Sequence, residues 1–243
     1  MQIPTGTHIV LDIEGTVAPI AFVHEILFPY AKRELENFLR LNCSSAPVLD
    51  CMEQIARDAG ATSLSEWCPH PSHTPNAVAW VLPTLHQWID SDAKKTGLKA
   101  LQGLIWERGF KEGTLKAPLF PDVRSSLTAW IEYGLTVSIY SSGSITAQKL
   151  FFSHTTEGDV TSLLTSYFDT TSGHKKDVES YRAIRSSLPE GGQTLLFFSD
   201  VPAELDAARE AGWSTVLVVR PGNAEVGQTT HPVIHSFAEC FPG

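Results

Sequence analysis

Five short apolar runs punctuate the chain at intervals too long for hairpins. They are "HIVLDI" (8–13), "TVSIYS" (136–141), "SYFDTT" (166–171), "TLLFFSD" (194–200) and "STVLVV" (214–219), the third being the least apolar. Runs of this length, bounded by polar residues, predict buried strands. Between the later runs the apolar positions change to helical spacing, in "PDVRSSLTAWIEYG" (121–134), "SITAQKLFFSH" (144–154), "DVESYRAIRSSL" (177–188) and "PAELDAAREAG" (202–212). Gly134 and Gly212 are placed to stop two of these helices. Strand and helix in alternation predict an α/β fold, a Rossmann-like doubly wound parallel sheet.

More than a hundred residues separate the first run from the second, and the interval is mostly helical in pattern. In "HEILFPYAKRELENFLR" (24–40) the apolar positions include Ile26, Leu27, Tyr30, Leu35, Phe38 and Leu39. In "GLKALQGLIWERGFKEG" (97–113) they include Leu98, Leu101, Leu104, Ile105 and Phe110. A Pro-rich stretch, "CPHPSHTP" (68–75), reads as a loop. The expected organisation is therefore a discontinuous α/β core, 1–22 with 119–243, interrupted by an α-helical cap over 23–118.

Composition narrows the function. The 243 residues are long enough for a sizeable core, and 42% apolar with 19% charged residues describes an ordinary globular chain. With 18 Lys and Arg against 27 Asp and Glu the net charge is −9, which disfavours nucleic acid and anionic membrane as partners. No secretory signal and no long apolar run stand out. The cysteines at 43, 51, 68 and 240 form no CxxC pair, so reduced thiols in a cytoplasmic protein are expected. A monomer is the simplest expectation, with a nuclear location also admitted.

Chemistry enters at the strand ends, where open parallel sheets bind ligands. "HIVLDIEGTVAP" (8–19) closes its strand with Asp12 and Glu14, two like charges that need compensation. The second run closes in "YSSGS" (140–144), the fourth in "SDVPAE" (199–204), and "SGHKKDVES" (172–180) supplies Lys175 and Lys176 before a helix. Each feature alone has a plainer reading: Ser142, Ser144 or Asp200 as a helix cap, Lys176 as a solvated cation. Together they offer what transfer of a phosphate requires. Asp12 and Asp200 supply oxygen ligands for a hard cation such as Mg²⁺, and a lysine with hydroxyl and backbone donors neutralises the phosphoryl oxygens. One carboxylate can attack phosphorus while a second handles protons.

"LDIEGT" (11–16), "YSSG", Lys175 and "SDVPAE" resemble the four motifs of the haloacid dehalogenase-like hydrolases. "LDIEGTVAPIAFVHEILFPYA", "YSSGSITAQKLFFSHTTEGD", "GHKKDVESY" and "VVRPGNA" narrow the resemblance to the enolase-phosphatases of methionine salvage. It covers most of the core and the first inserted helix; the segment 41–95 resembles nothing specific. The resemblance implies one Mg²⁺ per chain, with Asp12 as nucleophile and metal ligand and Asp200 as a further ligand. It puts Glu14 at the acid/base position, with its main-chain oxygen also reaching the metal, and Ser141, Ser142 and Lys175 at the phosphate or substrate. Glu14 and Glu204 stand where the superfamily commonly has aspartates; Glu204 is expected to orient Lys175 or a water. The implied reaction enolises 2,3-diketo-5-methylthiopentyl 1-phosphate and then hydrolyses it to the acireductone. Rival readings are a phosphatase of the same superfamily acting on a sugar phosphate or phosphoglycolate, a metal-independent dehalogenase, and a binding module without turnover. Cys68, His70 and His73 lack a fourth ligand for zinc.

Overall fold

A computed structural model describes residues 1–91, 93–188 and 194–242. The chain divides into two compact units, Met1–Val23 with Lys116–Gly243, and His24–Leu115.

In the first unit, β1 (Gln2–Ile3) is followed by β2 (His8–Leu11), all four of whose residues are buried. After the second unit come α6 (Val123–Glu132), β3 (Thr136–Tyr140), α7 (Ile145–Ser153), β4 (Ser166–Phe168) and α8 (Val178–Ser187). Then follow β5 (Leu195–Ser199), α9 (Pro202–Glu210), β6 (Ser214–Val218), β7 (Val233–Ile234) and β8 (Phe241–Pro242). Six strands form one parallel sheet in the order β4-β3-β2-β5-β6-β7, while β1 and β8 pair separately. All five expected strands are present; the two-residue β1, β7 and β8 carry too few positions to show a period.

β2 lies between β3 and β5, so both its faces meet the core, and its continuous apolar run follows from that place. His8 is the exception. Its Nε2 meets Ser138 Oγ at 2.9 Å and its Nδ1 meets Thr136 Oγ1 at 2.6 Å, which satisfies the ring inside the sheet. Consecutive Phe197 and Phe198 on β5 point to opposite faces. Phe197 packs on Tyr181 with ring centroids 5.4 Å apart, and Phe198 on Trp130 at 5.8 Å. The sheet core thus has aromatic anchors on both sides.

The second unit is helical: α1 (Phe28–Asn42), α2 (Ala46–Asp58), α3 (Leu64–Trp67), α4 (Pro75–Asp90) and α5 (Thr96–Lys111). A stretch of π-helical backbone, Phe22–Leu27, precedes α1. α1 buries Tyr30, Ala31, Leu35, Phe38 and Leu39, and α2 buries Val48, Cys51, Met52, Ile55 and Ala56, each set on one helical face. The close approach of α2 and α5 centres on Gly97, where a Cβ would come within 2.6 Å of the Ile55 nitrogen. No helix among the described residues is long and apolar enough to cross a membrane.

Candidate active site

The regular ladder of β2 ends at Asp12, whose N–H donates to the Phe198 carbonyl at 3.0 Å. Beyond it the chain turns back sharply. The Ile13 carbonyl accepts from Thr16, Val17 and Ala18, and the Gly15 N–H donates to the Ala18 carbonyl. Gly15 takes φ +73°, a left-handed conformation that disfavours a side chain, and space forbids one as well. A Cβ there would lie 2.3 Å from Asp200 Oδ2 and 3.0 Å from Asn223 Oδ1. Asp12 and Glu14 therefore do not stand on one regular strand face.

Lys175 is the hub of the charges. Its buried Nζ lies 2.6 Å from Asp12 Oδ1 and 2.7 Å from Glu204 Oε2. The segment before α8 that carries it is tied to the core by two phenols. Tyr181 donates to the Lys175 carbonyl at 2.6 Å, and Tyr140 to the Gly173 carbonyl at 3.0 Å. Glu204, near the start of α9, also accepts from Ser199 Oγ at 2.9 Å.

At the end of β3, Ser141 is buried and donates to Glu14 Oε2 at 3.3 Å while accepting from the Gly143 N–H at 3.2 Å. Ser142 is exposed beside it. Two residues that motif reading did not single out shape this loop. Gln148 donates to the Gly143 and Phe168 carbonyls, both at 2.8 Å, and Asp169 Oδ2 accepts from the Ile145 N–H at 3.1 Å. Ser144 is the N-cap of α7, accepting from the Ala147 N–H. Its hydroxyl is thereby engaged in the helix.

Asp12, Glu14, Asp200 and Glu204 gather at this end of the sheet around the buried ammonium of Lys175. Burial and the charge of Asp12 push Glu14 up, and the same two causes push Glu204 up. Asp200 rises to about 7 through burial and then through the charges of Asp12 and Glu204. Burial works against the charge of Lys175, but Asp12 and Glu204 outweigh it and hold the lysine above its ordinary value. The net surplus is negative, and every donor is an oxygen, which suits a hard divalent cation. Among the described residues no group of three His, Cys, Asp or Glu side chains is set to hold a metal. The expected set differs in kind, with two carboxylates and a main-chain oxygen.

No family model matches the chain. A curated relative from Hahella chejuensis, named Enolase-phosphatase E1, is 43% identical over 233 residues, covering 96% of this chain and 94% of the relative. This chain belongs to the enolase-phosphatase E1 family. A Synechococcus elongatus enolase-phosphatase E1 is 42% identical over 243 residues, covering 98% of this chain and 100% of its own. Among solved structures, the UTR4 protein of Saccharomyces cerevisiae superposes with a TM-score of 0.78 at 33% identity, covering 97% of this chain and 99% of that one.

Proposed function

We propose that the chain converts 2,3-diketo-5-methylthiopentyl 1-phosphate to the acireductone and phosphate, by enolisation followed by dephosphorylation. The observation that carries the reading is the buried Asp12–Lys175–Glu204 group at the C-terminal end of the central strand, with Asp200 and Glu14 beside it. A family of phosphatases supplies the substrate class; the residues supply the chemistry.

In the first step a proton leaves the carbon bearing the phosphate ester and one is added to the neighbouring carbonyl oxygen. Glu14 is the group we assign to this transfer. Burial and the charge of Asp12 raise its affinity for protons, which suits a group that takes them up and returns them. In the second step an Asp12 carboxylate oxygen bonds to phosphorus as the ester P–O bond breaks, and Glu14, having taken up a proton from solvent after the enolisation, gives it to the departing oxygen. Water, deprotonated by Glu14, then attacks phosphorus, releasing phosphate and restoring Asp12. Lys175 holds one Asp12 oxygen so that the other faces the substrate, and with Ser141 and Ser142 it contacts the phosphate. Glu204 and Ser199 fix the lysine in turn.

Mg²⁺ is the cofactor that fits, one per chain, held by Asp12, Asp200 and the main-chain oxygen of Glu14. Bound there, it supplies positive charge for the dianionic phosphate and for the developing enolate. The helical unit His24–Leu115 is assigned as the cap domain. All the assigned side chains belong to one chain, so a monomer suffices, working on a soluble metabolite in the cytosol.

The nucleophile is tested directly by quenching turnover in acid. Wild-type protein should carry phosphate that hydroxylamine removes, the signature of an acyl phosphate. Asp12→Asn should carry none and lose at least about a thousandfold in phosphate release, while keeping its fold. Turnover surviving in that variant would place the nucleophile elsewhere.

A further inference from the structure

One motif remains without a task. "VVRPGNA" closes β6, the strand beyond β5, and two of its side chains reach back across the sheet to the loop that carries Asp12 and Glu14. Residues 220–223 form a tight turn in which the Asn223 N–H donates to the Arg220 carbonyl at 3.1 Å. Pro221 stands at the second position and Gly222, at φ +89°, at the third, the requirements of a type II turn. The turn thus presents its first and last residues, Arg220 and Asn223, on the same side of the chain's path.

Each grips a different peptide of the Asp12 loop. Asn223 Nδ2 donates to the Gly15 carbonyl at 2.9 Å and to the Val218 carbonyl at 3.3 Å. Arg220 Nε donates to the Thr16 carbonyl at 3.2 Å. The next carbonyl, Val17, accepts from the Phe120 N–H at 3.0 Å. Three successive carbonyls of the loop are therefore held from outside it.

The grip is rigid at its base. Arg220 is buried and makes a two-pronged pair with Asp122, Nη1 to Oδ1 at 2.8 Å and Nη2 to Oδ2 at 2.9 Å. Its guanidinium lies 4.6 Å from the Phe120 ring centroid and 4.8 Å from that of Phe237. Asp122 also accepts from Ser236 Oγ at 3.0 Å and from the Phe237 N–H. A planar guanidinium packed against two rings and paired through both Nη atoms leaves its Nε little freedom.

We infer that Arg220 and Asn223 are positioning residues for the phosphoryl transfer: they fix the Gly15 and Thr16 peptides and so the placement of Asp12 relative to Glu14 and Asp200. Asn223 does this at the most crowded point, because its Oδ1 and Asp200 Oδ2 both crowd the space where a Gly15 side chain would be. Neither residue touches the substrate in this account. The inference rests on Asp12 as the nucleophile.

The test is Asn223→Ala, since Asn223 is only partly buried and sits in a turn. Expected are a fall in kcat of about tenfold with KM within about twofold, the split that misplacement of reacting groups produces. In the same variant, without substrate, the Thr16 and Val17 amides should exchange about tenfold faster, while the amides of β5 keep wild-type protection. Wild-type kcat in the variant overturns the inference, as does a fall in kcat with unaltered loop exchange. Should the alanine variant fail to fold, Asn223→Asp, equal in size but lacking the Nδ2 donor, decides on the same two readouts. Loop exchange is read without substrate, so a wild-type protein that released no phosphate would remove the functional reading and leave the clamp to be judged separately.

Discussion

Lys175 stands between Asp12 and Glu204 with almost no access to water, and the cost of removing it from solvent is repaid only because both carboxylates reach it. A buried group whose partners carry no charge behaves in the opposite way, and His8, between Ser138 and Thr136, shows the sign. Burial lowers its pKa from 6.5 to about 4, so the folded state holds the ring neutral where the unfolded chain would protonate it. The contribution to stability is present above pH 6.5 and is lost as the pH falls towards 4, by roughly 3 kcal/mol as an upper bound. An NMR titration of the His8 ring should give a midpoint near 4; a midpoint near 6.5 would contradict its burial. At this scale the sequence is readable where a residue closes a strand, as Asp12, Ser141 and Asp200 do. Arg220, Asn223 and Gln148 are different. Their partners Thr16 and Gly15 lie more than two hundred positions from the first two, and a turn motif says nothing of where its side chains reach.

Among the elements, β2, β3, β5 and β6 are plain in the sequence because a strand covered on both faces is apolar throughout. β4, at the sheet edge, is only half-buried along its length, and its run is correspondingly weak. The helices in 41–95 were obscured for a different reason. α4 begins at Pro75 and carries Pro83 in its interior, residues that ordinarily signal a break, and α3 spans only four residues. α2 has a clear stripe from Val48 to Ala56 but lies beside those breaks. Its contact with α5 yields a sharp prediction. Asp58 caps the approach, accepting from the Gly97 N–H at 2.7 Å, and a side chain at 97 would meet the Ile55 backbone nitrogen at 2.6 Å as well as the Ile55 side chain. Gly97→Ala should destabilise the helical unit by about 1–3 kcal/mol in urea denaturation. Unchanged stability would show that the two helices can part without cost.

Taken whole, the molecule assembles its site by topology. β2 leads into the Asp12 loop, and its neighbours β3 and β5 lead out on either side into Ser141 and Asp200, residues 129 and 188 positions after Asp12 in the chain. The alternation of strand and helix was enough to read the parallel sheet, and the polar strand ends at Asp12, Ser141 and Asp200 lie at one end of it. The full strand order was not readable, whereas the expected approach of Glu204 to Lys175 is met at 2.7 Å. The central claim concerns the reaction as a whole, two steps on one substrate at one site. It is tested by mixing the protein and Mg²⁺ with 2,3-diketo-5-methylthiopentyl 1-phosphate and following ultraviolet absorbance and free phosphate together. The account predicts an enol absorbance that rises before phosphate appears and passes into that of the acireductone. Phosphate released with no enol signal at any time would contradict it.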